Sequence, residues 1–384
     1  MALDETERAC WIALAATAEV GAGRHGALLS HFRSARRAWT ATAGELLAVR
    51  GVGPRTIEAI TAARGAEPLV AARRLAAAAE NGPWRVLCRP QQEYPGLLRK
   101  VYDPPAALWV RGRLPTGPAV AIVGSRSATP YGLKVARRLA ADLAASGVAI
   151  VSGLARGIDT AAHKGALDGG GLTVAVLGCG IDRVYPPENR SLAAEIAATG
   201  ALISELPPGF RPLRGHFPAR NRLISGLAAV TVVVEAGERS GALITADLAL
   251  EQGREVMVVP GEITSPLSAG CNLLLADGVP PVLCAADIID ALRKSWLLSA
   301  DQRQSIRGPV ALGEPSGSCR QAGGTRADRI LASLSAKGSG LDEIVAATGL
   351  AVSEVLAELT ALQLSGRVEG LPGGRFVSFS QLRK

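Results

Sequence analysis

Between Phe217 and Gly226 the chain reads FPARNRLISG, an aromatic near Arg220, Asn221 and Arg222 among small residues. From Gly209 to Ser225 there are four arginines (Arg211, Arg214, Arg220 and Arg222) and no acid. A guanidinium offers a planar fork of donors that fits phosphate, and an aromatic face stacks on a base. Only 4% of the chain is aromatic, so a Phe inside an arginine cluster points to a nucleotide or nucleic-acid site. The same residues also fit a salt-bridged helix start over an ordinary core Phe.

Four other stretches carry polar residues among glycines. They are Gly124-Ser125-Arg126-Ser127, Ser152-Gly153-Leu154-Ala155-Arg156-Gly157-Ile158-Asp159, Gly178-Cys179-Gly180 with Asp182 and Tyr185-Pro186 beyond it, and Ser204-Glu205-Leu206-Pro207-Pro208-Gly209. A fifth, Glu235-Ala236, runs on to Ser240-Gly241-Ala242-Leu243-Ile244-Thr245. Glycines let a phosphate approach the backbone, and a following helix start favours the anion. One such loop says little. Several that end successive strands of one sheet, two with an embedded arginine, say much more.

The elements that must position them alternate strand and helix from about 119 to 293. Ala119–Val123, Val148–Val151, Thr173–Leu177, Leu202–Ile203, Val230–Val234 and Val256–Val259 are short apolar runs bounded by glycine, the mark of buried parallel strands. Helices are expected over Leu133–Ala145 and Ile158–Leu167. The fold class is therefore α/β, a doubly wound Rossmann-like parallel sheet, whose ligands bind beyond the carboxyl ends of the strands. Residues 83–118 read as a lead-in anchored by Trp84, Tyr94, Tyr102 and Trp109.

Residues 1–80 read as short helices. The turn Gly51-Val52-Gly53-Pro54 resembles a helix-hairpin-helix (a SAM-like domain), and EVGAGRHGALLSHF looks like a weaker copy. Gly21-Ala22-Gly23-Arg24-His25-Gly26 matches GxGxxG by letters, but no strand precedes it. The expected domains are 1–80 helical, 81–296 extended Rossmann-like, 297–325 a Ser/Gly/Gln/Arg-rich linker, and 326–384 a winged helix with a wing at Gly366–Val368 and Arg375–Val377. The recognition-helix segment VSEVLAELTAL holds no Arg or Lys, which favours a protein-contact or accessory role for this last domain.

The formal net charge of +8 favours a polyanionic partner. The six cysteines are scattered without a CxxC pair and there are four histidines, so neither a metal site nor a cofactor is expected. Free thiols fit a reducing cytoplasm, and an acidic start, MALDETE, with no long apolar run argues against a signal peptide or a membrane. Enzyme readings are weaker. Asp159 and His163 stand four apart without a GxSxG elbow, Cys179 has no basic neighbour, and no GxxxxGK[ST] loop occurs. The serious rival is a Rossmann-type nucleotide phosphoribohydrolase. That group uses PGGxGTxxE where this chain has AGERSGALITA.

In order, GSRSATPYG, SGLARGIDTAAH, GCGIDRVYPPEN, SELPPG, FPARNRLISG, EAGERSGALITA and VPG resemble the DNA-processing protein A family, also called Smf. The resemblance covers nearly the whole chain. It implies a non-enzymatic, dimeric protein that binds single-stranded DNA in natural transformation, loads the recombinase RecA and helps displace single-stranded DNA-binding protein. It places DNA contacts at Arg126 and Phe217, and at Arg214 where the family often has Lys. Gly124, Ser125, Gly153 and Asn221 fit as pocket contacts. Arg156, Arg220 and Arg222 either bind phosphate or pair with Asp159, Glu205 or Glu235 to hold the loops.

Overall fold

The computed structural model describes residues 3–308, 326–334, 338–364, 367–371 and 375–378. It divides into two compact units, Met1–Gly313 and Glu314–Lys384.

The first unit begins with six helices: α1 (Glu5–Ala16), α2 (Ala22–Phe32), α3 (Ala35–Thr40), α4 (Ala43–Leu47), α5 (Pro54–Arg64) and α6 (Pro68–Ala79). Their starts are written in the sequence. Asp4 caps α1, Thr42 and Glu45 form a capping box on α4, and Gly53-Pro54 opens α5. Trp11 and Trp39 fill the centre, and each indole N–H reaches a carbonyl, Ala106 at 2.7 Å and Pro68 at 2.6 Å. Their core runs on into Val86, Trp109, Leu177 and Ile196, so these helices share one apolar cluster with the sheet.

The sheet holds eight strands: β1 (Arg85–Cys88), β2 (Ala107–Gly112), β3 (Ala119–Val123), β4 (Ala149–Ser152), β5 (Thr173–Val176), β6 (Ala201–Ser204), β7 (Val230–Val233) and β8 (Glu255–Val258). A short helix, α7 (Gly96–Arg99), lies between β1 and β2 in the chain, and the strand order is β1-β2-β6-β5-β4-β3-β7-β8. Strands β3 to β8 are parallel, whereas β1 and β2 extend the β6 edge antiparallel. All five residues of β3 are buried because both faces are covered. Val120 and Ile122 pack with α8 (Pro130–Ala145), α9 (Ile158–Asp168) and, further along the chain, residues 285–294, while Ala119, Ala121 and Val123 face the opposite layer. That layer contains α10 (His216–Leu227) and α11 (Gly241–Glu251). The strand order reverses between β3 and β7, the switch point of a doubly wound sheet.

Two sequence expectations need adjustment. Of the four lead-in anchors, Tyr94 and Trp109 are buried and Trp84 is half-buried, but Tyr102 is fully exposed. Its neighbour Val101 takes the inward position, against Gly226. Within the stretch expected to link, Leu298 and Ile306 are buried in the sheet-domain core, and the Arg307 N–H donates to the Ser146 carbonyl at 2.9 Å. Residues 309–325 of that stretch lie outside the described residues.

The second unit packs helices Arg326–Ser333, Leu341–Thr348 and Val352–Leu364 on a three-stranded sheet of Ser339–Gly340, Val368–Leu371 and Arg375–Ser378. Ile330, Ile344, Val355 and Leu359 form its core. This is the expected winged helix. Its turn residues 372–374, and Gly366, lie outside the described residues.

Candidate nucleic-acid interface

The parallel strands all end at one edge, so the sheet order sets the order of the loops. The loop after β6 comes first, then those after β5, β4, β3, β7 and β8. Each candidate stretch of the sequence spans one of these loops, in two cases with the first residues of the following helix, or, for FPARNRLISG, the first three turns of α10.

The loops are tied to one another through the backbone. The Ser125 N–H donates to the Glu235 carbonyl at 2.7 Å, and the Ile158 N–H donates to the Ser125 carbonyl at 3.1 Å. Gly157 makes this approach possible: it has φ +73°, and a Cβ there would stand 2.2 Å from the Ser125 oxygen. The Glu235 carboxylate is buried and accepts the Thr129 N–H at 2.8 Å and the Thr129 hydroxyl. Gly124 and Ser125 therefore sit in a fixed turn at the end of β3, with Ser125 buried and Arg126 exposed.

Under the β4 loop lie two buried groups of opposite charge, Asp159 and Arg220. The Asp159 carboxylate accepts N–H bonds from Gly153 (3.1 Å) and Ala155 (3.3 Å). The Arg220 guanidinium, also buried, donates to the Gly153 carbonyl at 2.6 Å and to the Val176 carbonyl. Gly153 admits it closely, since a Cβ would stand 2.4 Å from the guanidinium. Burial raises the Asp159 carboxyl against the pull of Arg220 and the amides. Burial also lowers Arg220 to about 10, opposed by Asp159, so the guanidinium stays a cation at neutral pH. Arg220 thus ties α10 to the ends of β4 and β5 from inside.

Arg222, two residues on, donates to both Glu205 oxygens (2.6 and 2.5 Å) and to the Asp103 carbonyl (2.7 Å). Asn221 donates to the Gly241 carbonyl at 3.3 Å, joining the middle of α10 to the start of α11. Arg156 is exposed and ion-paired with Glu188.

What remains open is a cluster assembled from three places. Phe217, second in α10, is half-buried. The exposed ring of Tyr185, from the β5 loop, lies 5.5 Å away and tilted by 42°. The Arg126 guanidinium stands over the Phe217 ring at 5.4 Å. Arg211 and Arg214 are exposed just upstream and, like Arg126, have no hydrogen-bond or ion-pair partner among the described residues. In the sequence Tyr185 stands within the GCGIDRVYPPEN motif without being marked as a site residue. Its signal was an aromatic in a Gly-rich loop of an aromatic-poor chain.

The groups that suggested catalysis are otherwise engaged. His163 is buried, its Nδ1 is 2.7 Å from the Thr173 hydroxyl, and burial with Arg220 nearby lowers it to about 3. The Cys179 thiol is buried, raised by that burial to about 11, and donates to the Arg183 carbonyl at 3.4 Å. Among the described residues no cluster of three His, Cys, Asp or Glu could hold a metal.

The family model described as DNA recombination-mediator protein A matches residues 85–293, and a DprA winged helix domain model matches residues 321–374. Protein Smf of Synechocystis is 36% identical over 97% of this chain and 98% of its own length. The X-ray structure of DNA processing protein A from Streptococcus pneumoniae superposes with a TM-score of 0.60 and 32% identity, covering 76% of this chain and 98% of that one. The Helicobacter pylori protein, whose structure concerns its single-stranded DNA binding mode, superposes with a TM-score of 0.50 and 32% identity over 56% of this chain and 98% of that one. The chain belongs to the DNA-processing protein A (Smf) family.

Proposed function

We propose that this protein binds single-stranded DNA along the carboxyl edge of its sheet and delivers it to a recombinase. The observation that carries this reading is the Tyr185–Phe217–Arg126 cluster, with Arg214 and Arg211 beside it and unpaired. The rings offer stacking faces for bases and the free guanidiniums take phosphates. Ser125, Gly124, Gly153 and Asn221 set the backbone against which the strand lies. Arg156 adds a cation already shared with Glu188, and Arg220 and Arg222 hold the loops rather than the strand. The mechanism is binding without bond-making. The Helicobacter pylori relative supports single strands as the ligand.

The family supports the wider role: protection of incoming DNA in natural transformation, displacement of single-stranded DNA-binding protein, and loading of RecA by a homodimer whose two edges add their contacts. A cytoplasmic location fits the free thiols of the five described cysteines. Anisotropy titrations of labelled oligothymidine test the site. Phe217→Ala should weaken binding at least about fivefold, the cost of about 1 kcal/mol or more for a lost stacking face. Unchanged affinity would remove Phe217 from the site. RecA filament assembly on strands precoated with single-stranded DNA-binding protein should start sooner when the protein is added; no acceleration would reject the loading role.

A further inference from the structure

On the other side of the Arg126 loop the edge continues over β7 and β8, and it carries a second aromatic and a second free arginine. Tyr131 opens α8 just after the Gly124–Ser127 turn and is 53% exposed. Its hydroxyl donates to the Pro260 carbonyl beyond β8 at 3.2 Å. Since β7 lies between β3 and β8, the phenol reaches across the end of β7. Its neighbour Gly132 packs against the buried Glu235 carboxylate, where a Cβ would stand 2.3 Å from an oxygen, so the ring's base is fixed. Arg239, on the β7 loop, is exposed and has no hydrogen-bond or ion-pair partner among the described residues. The turn that bears it is closed by the Ser240 N–H on the Gly237 carbonyl at 2.9 Å.

We propose that Tyr131 and Arg239 form a second nucleotide subsite, in which the phenol stacks on a base and the guanidinium holds its phosphate. The proposal rests on the single-stranded DNA reading and extends it across the switch point between β3 and β7, where open α/β sheets place their ligands. The pair repeats the chemistry of Phe217 with Arg126 on the opposite flank of the same loop. From β3 to β8 the edge runs about 10 Å, two strand spacings, which leaves room for one further nucleotide. Glu238 and Glu262 are exposed on the same loops, so a run of phosphates would be repelled there and the subsite takes one.

The test is a length series of labelled oligothymidines on the full chain, with Tyr131→Leu, Tyr131→Phe, Arg239→Ala and Phe217→Ala, each checked for native circular dichroism. Wild type should gain affinity as the strand grows long enough to pass the Arg126 loop. The gap between wild type and Tyr131→Leu should widen with length to at least about fivefold, while Tyr131→Phe keeps the wild-type gain. Arg239→Ala should make the slope of log K against log salt shallower by about 0.7 on the long strands, and Tyr131→Leu should leave that slope unaltered. If both variants follow wild type at every length while Phe217→Ala weakens binding, the second subsite is overturned and the primary site stands. If Phe217→Ala is also without effect, or wild type does not bind, both are overturned.

Discussion

The arginines in and just before the FPARNR stretch look alike in sequence, and the fold gives them opposite work. Arg214 is exposed and unpaired, whereas Arg220 is 6% exposed and locked on two backbone carbonyls. Removing the Arg220 guanidinium leaves the buried Gly153 and Val176 carbonyls without that donor, at a cost of about 1–3 kcal/mol. Arg220→Leu should therefore lower the unfolding free energy by about that much in urea titrations, and Asp159→Asn should do likewise. The double variant should cost less than the sum, because neither charge is then left alone. A loss for Arg220→Leu below about 1 kcal/mol would mean Arg220 does not hold the loops. Which arginine is which could not be read beforehand. An arginine close in sequence to acids states nothing about whether Glu205, Glu188 or solvent meets it in space. Phe217, proposed here as a stacking face, stood out in the sequence, because an aromatic in an aromatic-poor, arginine-rich stretch is a chemical signal independent of geometry.

The elements were more legible than the residue roles. Ala119–Val123 and Val230–Val233 are apolar runs cut by Gly124 and by Glu235-Ala236-Gly237, and a strand buried on both faces must look like that. The loops followed, since a doubly wound sheet places every βα turn at one edge. Where the signal was residue type alone, direction was lost: Trp109 and Tyr102 are both large aromatics, but one lies in the core and the other in solvent. Helix α9 carries a testable consequence. His163 has a folded value of about 3 against an ordinary 6.5, so the unfolded chain takes up the proton first as pH falls. Its neutral form contributes full stability above about pH 6.5, and that contribution is lost towards pH 3 at about 1.4 kcal/mol per unit. Urea midpoints at pH 7 and 5.5 should converge in His163→Gln relative to wild type. An equal pH dependence in both proteins would show that His163 is not held neutral.

At the scale of the molecule, the strand order lines up six loops along one edge, and Arg126, Arg211, Arg214 and Arg239 stand free on it. The winged helix presents a different surface: its Val352–Leu364 helix has no Arg or Lys, and Val352 and Leu356 are exposed on it. A chain ending at Gly313, the boundary of the first unit, should keep most of its affinity for single strands. Loss of binding on that truncation would move the DNA site to the second unit. The most direct test of the central claim is anisotropy with labelled oligothymidine and a matched duplex across a salt series. Three neutralised phosphates, at about −0.7 each for single strands, predict a slope of log K against log salt of about −2, with the single strand bound more tightly than the duplex. Salt-insensitive binding, or a preference for the duplex, would contradict the account.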